Sequence, residues 1–119
     1  MDTIHEGSSA LYTATVTGPD GAVVTAFTSV LLTLYDEYTG NIINSRHDQN
    51  VLNANNVSIN ASTGLLTWQI QPEDTIIIST SRKGEWHTAI FVFTWSVGRY
   101  VHRVRMRVVN YAHEPASEL

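Results

Sequence analysis

The residues able to do chemistry are scattered in this chain. The five histidines, His5, His47, His87, His102 and His113, include no two at metal-ligand spacing. His47-Asp48 is a His–carboxylate neighbour pair, and its Asn-rich surroundings explain both residues as loop polarity. His102 falls on the apolar side of an alternating stretch, where a hydrogen-bonded core histidine is expected. Glycoside hydrolysis needs two carboxylates facing each other across a cleft. Nearly all the acids here (Asp2, Glu6, Asp20, Asp36, Glu37, Asp48, Glu73, Asp74, Glu85, Glu114, Glu118) read as turn or tail residues, placed by local hydrogen bonding. No serine sits in a Gly-x-Ser-x-Gly turn and no glycine-rich phosphate loop is present. Cysteine is absent, which removes disulfides, thiolate metal sites and thiol nucleophiles. We expect no catalytic residue, no metal, no cofactor and no enzyme activity. Asn56-Val57-Ser58 and Asn60-Ala61-Ser62 match the glycosylation sequon, but no secretory signal precedes them and they read as coincidence.

One cluster has interaction chemistry. Arg103, Arg105 and Arg107 alternate with Val104, Met106 and Val108, so the three guanidinium groups share one strand face about 7 Å apart. Such a stripe is either a solvated sheet face balanced by acids on neighbouring strands, or a bidentate-capable contact for acidic residues of a partner. Tyr100 and Tyr111 flank it, and Tyr and Arg are both enriched at interfaces. Ile90 and Val92 pose a related question. They lie opposite Ala89, Phe91, Phe93 and Trp95 on their strand, and either a loop such as residues 46–56 or a neighbouring subunit must cover them. Arg103, Arg105, Arg107, Tyr100, Tyr111, Ile90 and Val92 are therefore the candidate partner interface.

The element that positions these residues is the stretch 85–110, two long strands folded back at Val97-Gly98-Arg99, with period-2 alternation throughout. Ahead of it we expect strands over residues 11–16, 22–27 (a short edge strand), 29–35, 42–45, 57–60 and 65–71. Turns fall at Gly18-Pro19-Asp20-Gly21, at 36–40 and at 61–64. Residues 46–56 read as an Asn-rich loop pinned by Val51-Leu52. Pro72-Glu73-Asp74 reads as a single helical turn leading into an extended segment 75–79, and residues 79–84 as a polar loop. Seven or eight short strands without a convincing helix predict an all-β fold: a single antiparallel β-sandwich of immunoglobulin-like type, with a small barrel as the alternative. The expected organisation is an N-terminal arm 1–10, a sandwich domain 11–110 and a C-terminal tail 111–119.

The 119 residues suffice for one domain with a real core, 43% of them hydrophobic and 15% charged. A net charge of -4 argues against nucleic acid as a partner. No apolar run has the length of a membrane span, so no membrane partner is expected.

The strand SVLLTLYDEYTGNIIN, the stretch VSINASTGLLTWQIQPEDT and the closing pair ending RVRMRVVN together resemble small immunoglobulin-like virion proteins of tailed bacteriophages. The pattern is also similar to the N-terminal domain of phage baseplate upper proteins. The resemblance covers about residues 11–110, and residues 62–74 are its most distinctive part. This chain departs from the baseplate pattern in ending soon after the domain. The resemblance implies a non-enzymatic structural protein, made in the host cytoplasm and located in the virion. Its partners would be capsid, portal, neck or tail subunits, met in multiple copies or as a homo-oligomer. The alternatives are a tail or baseplate part, or a module binding carbohydrate or a host surface. For the last of these Trp86 is the one tryptophan expected to be exposed, whereas Trp68 and Trp95 read as core.

Overall fold

The computed structural model describes residues 3–77 and 84–109. Among these residues the chain is all-β, with eight strands: β1 (Thr3–His5), β2 (Ala10–Ala14), β3 (Ser29–Asp36), β4 (Gln49–Asn50), β5 (Val57–Ile59), β6 (Leu66–Ile70), β7 (Gly84–Trp95) and β8 (Gly98–Val109). A 3₁₀ turn, Pro72–Thr75, is the only helical element among them. They contain no helix long and apolar enough to cross a membrane. The strands form two sheets, one ordered β1-β8-β7-β3-β4 and one ordered β2-β6-β5.

The alternation anticipated for the closing hairpin is present. β7 and β8 pair antiparallel from Gly84↔Val109 to Trp95↔Gly98, so the loop is Ser96-Val97, one residue earlier than the sequence suggested. Ala89, Phe91 and Phe93 are buried on one face of β7, and Val104, Met106 and Val108 are buried on the same side of β8. β3 supplies Val30, Leu32 and Leu34, and the smaller sheet supplies Leu66, Trp68, Ile70 and Val57. The two inner faces meet through aromatic contacts. Trp68 stands edge-on to Phe91 at 5.6 Å, and Tyr12 stacks on Phe91 at 6.4 Å. Each large apolar side chain buried this way contributes about 1.5–3 kcal/mol, which is why these strands hold together without covalent links.

Several elements differ from the sequence reading. Residues 3–5, read as part of an arm, form a strand that runs parallel to β8, pairing Thr3↔Arg107 through His5↔Val109. Ile4 reaches the core from it. Three residues are too few for periodicity to register. The sheet is therefore mixed, with one parallel pair. Residues 22–27 form no strand: Thr17↔Val23 is an isolated bridge. Residues 42–45 form none either, since only Ile42 bridges Tyr35. Asn44 and Ser45 there adopt positive φ (54° and 56°), which breaks an extended run. Thr75 ends the 3₁₀ turn; Ile76 is extended, and neither it nor Ile77 joins a strand. Residues 78–83, the loop expected at 79–84 apart from Gly84, and residues 110–119, the expected tail, lie outside the described residues.

The 46–56 segment is a loop with two-residue strand β4 inside it, and Val51 is fully buried, so the expected apolar plug is there. Its asparagines have a backbone reason: Asp48, Asn53, Asn55 and Asn56 all sit at positive φ, which Asn and Asp tolerate better than most residues. Arg46 organises this loop. Fully buried, it donates to Asp74 twice (Nε–Oδ1 2.6 Å, Nη2–Oδ2 3.1 Å), and to Gln49 Oε1 (2.7 Å), the Asn55 carbonyl (3.0 Å) and Asn56 Oδ1 (3.0 Å). All five guanidinium N–H groups are thereby used. Asp74 also accepts from Asn44 Nδ2 at 2.9 Å and from the Gln71 backbone N–H at 2.8 Å. One buried ion pair thus ties residues 44–56 to the 3₁₀ turn.

Candidate functional site

The outward face of the larger sheet carries the residues singled out from sequence. Pairing registers align them in cross-strand rows. Val101 lies opposite Val92, Arg103 opposite Ile90, Arg105 opposite Thr88, and Arg107 opposite Trp86. On the other side of β7, Val92 faces Leu31, Ile90 faces Thr33, and Thr88 faces Tyr35. Arg103, Arg105 and Arg107 are exposed, Ile90 and Val92 half-buried. The apolar plug of the 46–56 loop, Val51, belongs to the core cluster and not to this face. The result is an apolar patch of Ile90, Val92, Leu31 and exposed Val101, edged by a guanidinium stripe. Arg99 extends that stripe: it occupies the same alternation and is exposed. The alternation in the sequence already put Val101 on the arginine face, though not among the contact residues, and passed over Arg99, whose odd-numbered spacing from Arg103 was the available signal. Tyr100 is placed differently. It shares the side of His102, stacking on Phe93 at 6.4 Å and on His102 at 6.0 Å, so it does not join the arginines. Tyr111 lies outside the described residues.

The three central arginines are not equivalent. Arg105 forms a bidentate pair with Glu37 (Nε–Oε1 2.6 Å, Nη2–Oε2 2.8 Å), and its guanidinium lies over the Trp86 ring at 4.2 Å. Thr88 donates its hydroxyl to the same Glu37 oxygen that Arg105 Nε contacts. So the balancing acid anticipated from sequence exists for Arg105, supplied from just beyond β3. Arg99, Arg103 and Arg107 have no ion-pair partner among the described residues. Glu37 holds its carboxyl below the usual carboxylate range chiefly because Arg105 donates to it. Partial burial opposes this, and the Thr88 hydroxyl and the charges of Arg105 and Arg103 reinforce it.

A carboxyl whose folded-state pKa is lowered stabilises the fold above its unfolded value, about 4.3, and that contribution is lost as pH falls through the lowered value. Glu37→Gln should accordingly lower the melting temperature slightly at neutral pH, with the difference from wild type shrinking as pH falls below about 4.3 and vanishing below the lowered folded-state value. Paired thermal melts between neutral pH and pH 3 measure this. A difference that persisted unchanged in acid would mean that the carboxylate charge is not what holds Arg105.

Four other arrangements could bear chemistry. Asp36, Glu85 and His87 bring one ligand atom each within 4.8 Å of the others, and all three are buried. Sequence reasoning placed acids in turns and tails. Here Asp36 and Glu85 lie in strands and Asp74 in the 3₁₀ turn, all three buried. Glu85 and His87 share a face of β7, and Asp36 is the cross-strand partner of His87. The His87 Nε2–Glu85 Oε1 contact is 3.0 Å, and Asp36 Oδ2 accepts from the Thr39 N–H and hydroxyl. The His47–Asp48 neighbours are 3.9 Å apart and largely exposed, a surface contact. His102 is a half-buried histidine bonded to the Tyr12 hydroxyl at 2.7 Å, as its position on the apolar side suggested.

The last is a cavity of about 420 Å³ beside the β7–β8 loop, lined by Pro19, Asp20, Val23, Val24, Trp95 and Val97 among others. Trp95 packs edge-on against Phe27 at 6.2 Å while also lining this cavity, so it is less enclosed than the core residue expected. Trp68 is fully buried and Trp86 is 40% exposed, both as anticipated. No protein-family model matches this chain, and no curated protein matches it.

Proposed function

We propose that this chain is a non-enzymatic structural module of a bacteriophage virion, an immunoglobulin-like β-sandwich that docks on the capsid or head-to-tail neck through subunit contacts. The observation that carries the docking reading is the outer face of the larger sheet. It combines Arg103 and Arg107, without ion-pair partners among the described residues, with half-buried Ile90 and Val92 and exposed Val101. An apolar centre with a guanidinium rim suits a protein partner. The phage setting rests on the sequence resemblance, above all residues 62–74, and the sandwich reading rests on two sheets that share one core. The module is a rigid body whose repeated weak contacts on a lattice add up to firm attachment.

A second reading, a carbohydrate or host-surface module in the tail or baseplate, draws on the Trp95-lined cavity. Trp86 supports it less, since Arg105 already occupies one face of its ring. The two readings separate in one experiment on the purified protein: light scattering with co-sedimentation on assembled particles, alongside tryptophan quenching by a glycan panel. A monomer or small ring that pellets with particles and ignores glycans is the expected result. Protein that stays in the supernatant and is quenched by a glycan would replace the docking reading with the recognition one.

A further inference from the structure

The register of the larger sheet identifies which backbone groups of β8 face outward. Thr28 N–H donates to the Thr94 carbonyl and Glu37 N–H to the Trp86 carbonyl, so even-numbered residues of β7 turn their backbone groups toward β3. Odd-numbered residues of β7 therefore bond β8, and their partners are the even-numbered residues Tyr100, His102, Val104 and Met106. The odd-numbered residues of β8 point their N–H and C=O groups the other way. Consistent with this, the Val109 carbonyl accepts from Glu6 N–H, on the β1 side. But among the described residues β1 pairs only with Arg107–Val109. The backbone groups of Arg99, Val101, Arg103 and Arg105 thus form an open strand edge about 23 Å long, without a backbone partner among the described residues.

The same four residues carry the outward side chains, three arginines and a valine. Neighbouring side chains on an added strand would sit directly opposite them. A second copy of β8 laid antiparallel on this edge would set arginine against arginine, for example Arg103 against itself or, two residues out of that register, Arg99 against Arg105, and like charges placed so are destabilising. An extended segment with Asp or Glu at alternate positions meets the edge with backbone bonds and the stripe with carboxylates at once. We propose that the β8 edge from Arg99 to Arg105 is a strand acceptor for an extended acidic segment of a partner protein, which adds beside β8 and continues the larger sheet. This deepens the docking reading by naming the partner's chemistry, and relies on that reading only for the setting in which the partner is met.

The test is amide hydrogen exchange and binding with a probe peptide of about eight residues alternating Glu with Thr. In the free protein the amides of Arg99, Val101, Arg103 and Arg105 should exchange fast, and those of Tyr100, His102, Val104 and Met106 slowly. The peptide should slow the first set. The same peptide N-methylated at the residues whose N–H groups face β8 keeps its charge but loses those donors, and should bind about tenfold or more weakly. A Lys-for-Glu peptide should not bind. Val101→Pro removes only an outward N–H, leaves the bonds to β7 in place, and should weaken the acidic peptide. Equal binding of the N-methylated and parent peptides would overturn the strand acceptor and leave the docking face intact. No protection by the acidic peptide would overturn it too, as would concentration-dependent protection of these amides without peptide, which would assign the edge to a second copy. Particle co-sedimentation uses no peptide, so failure of the docking reading shows separately.

Discussion

Arg46→Ala should remove much of the stability of this domain, lowering it by about 3–5 kcal/mol, because Asp74 is left as a buried charge without its partner. For a domain of this size that corresponds to a fall in melting temperature of more than about 10 °C. The loss has several parts. Asp74 keeps its bonds from Asn44 and the Gln71 N–H, but the Asn55 carbonyl, Asn56 and Gln49 lose their donor together. Loop residues at positive φ, Asn55 and Asn56 among them, then lose what holds them in a conformation that costs about 1–2 kcal/mol each for most residues. The double substitution Arg46→Met with Asp74→Asn should recover part of the loss, since it removes the uncompensated charge. Thermal or denaturant melts of the two variants decide it. If the double variant were no more stable than Arg46→Ala, the buried charge would not be the dominant cost.

The second large effect is expected at Gly64, in the turn that leads into β6. Its φ is +74°, and a β-carbon there would stand 2.4 Å from the Val24 carbonyl oxygen. The Val24 backbone is itself fixed, donating its N–H to the Val16 carbonyl at 2.8 Å. Left-handed backbone costs an alanine about 1–2 kcal/mol. Displacing packed backbone adds about 1–3 kcal/mol, so Gly64→Ala should cost about 2–5 kcal/mol. Gly40→Ala provides the control. Gly40 has a similar φ of +77°, and a β-carbon there would meet nothing within 4 Å, so it should show the strain alone. Equal losses at Gly40 and Gly64 in denaturant melts would mean that the approach of Val24 is not the constraint.

How far these features could be read from sequence depends on the range over which each is encoded. The β7–β8 hairpin and the buried face Leu66, Trp68 and Ile70 were legible because alternation is local and long enough to count. The stripe Arg103, Arg105 and Arg107 was legible for the same reason. Its partner Glu37, 68 residues from Arg105, was not, because pairing across strands depends on register. Arg46 looks like an ordinary loop cation until Asp74, 28 residues on, is brought beside it. The Glu85–His87 pair did carry a period-2 signal, but Asp36 joins it only through the β3–β7 register. The open edge of β8 has no sequence signature at all. It follows from strand order, and from β1 covering only three residues of β8 among the described residues.

The central claim is that the outer face of the larger sheet, through its arginine stripe, attaches this module to a particle. Reversing Arg103 and Arg107 tests it most directly, since neither has an ion-pair partner among the described residues, whereas reversing Arg105 would also break the pair with Glu37. The measurement is incorporation of Arg103→Glu/Arg107→Glu into assembled particles relative to wild type, with a melting curve to establish that the fold is kept. The account predicts a folded variant whose melt is lowered only slightly, through the lost charge beside Glu37, and a fall in incorporation of about tenfold or more, as expected when like charges replace complementary ones at an interface. A folded double variant that enters particles as well as wild type would contradict it.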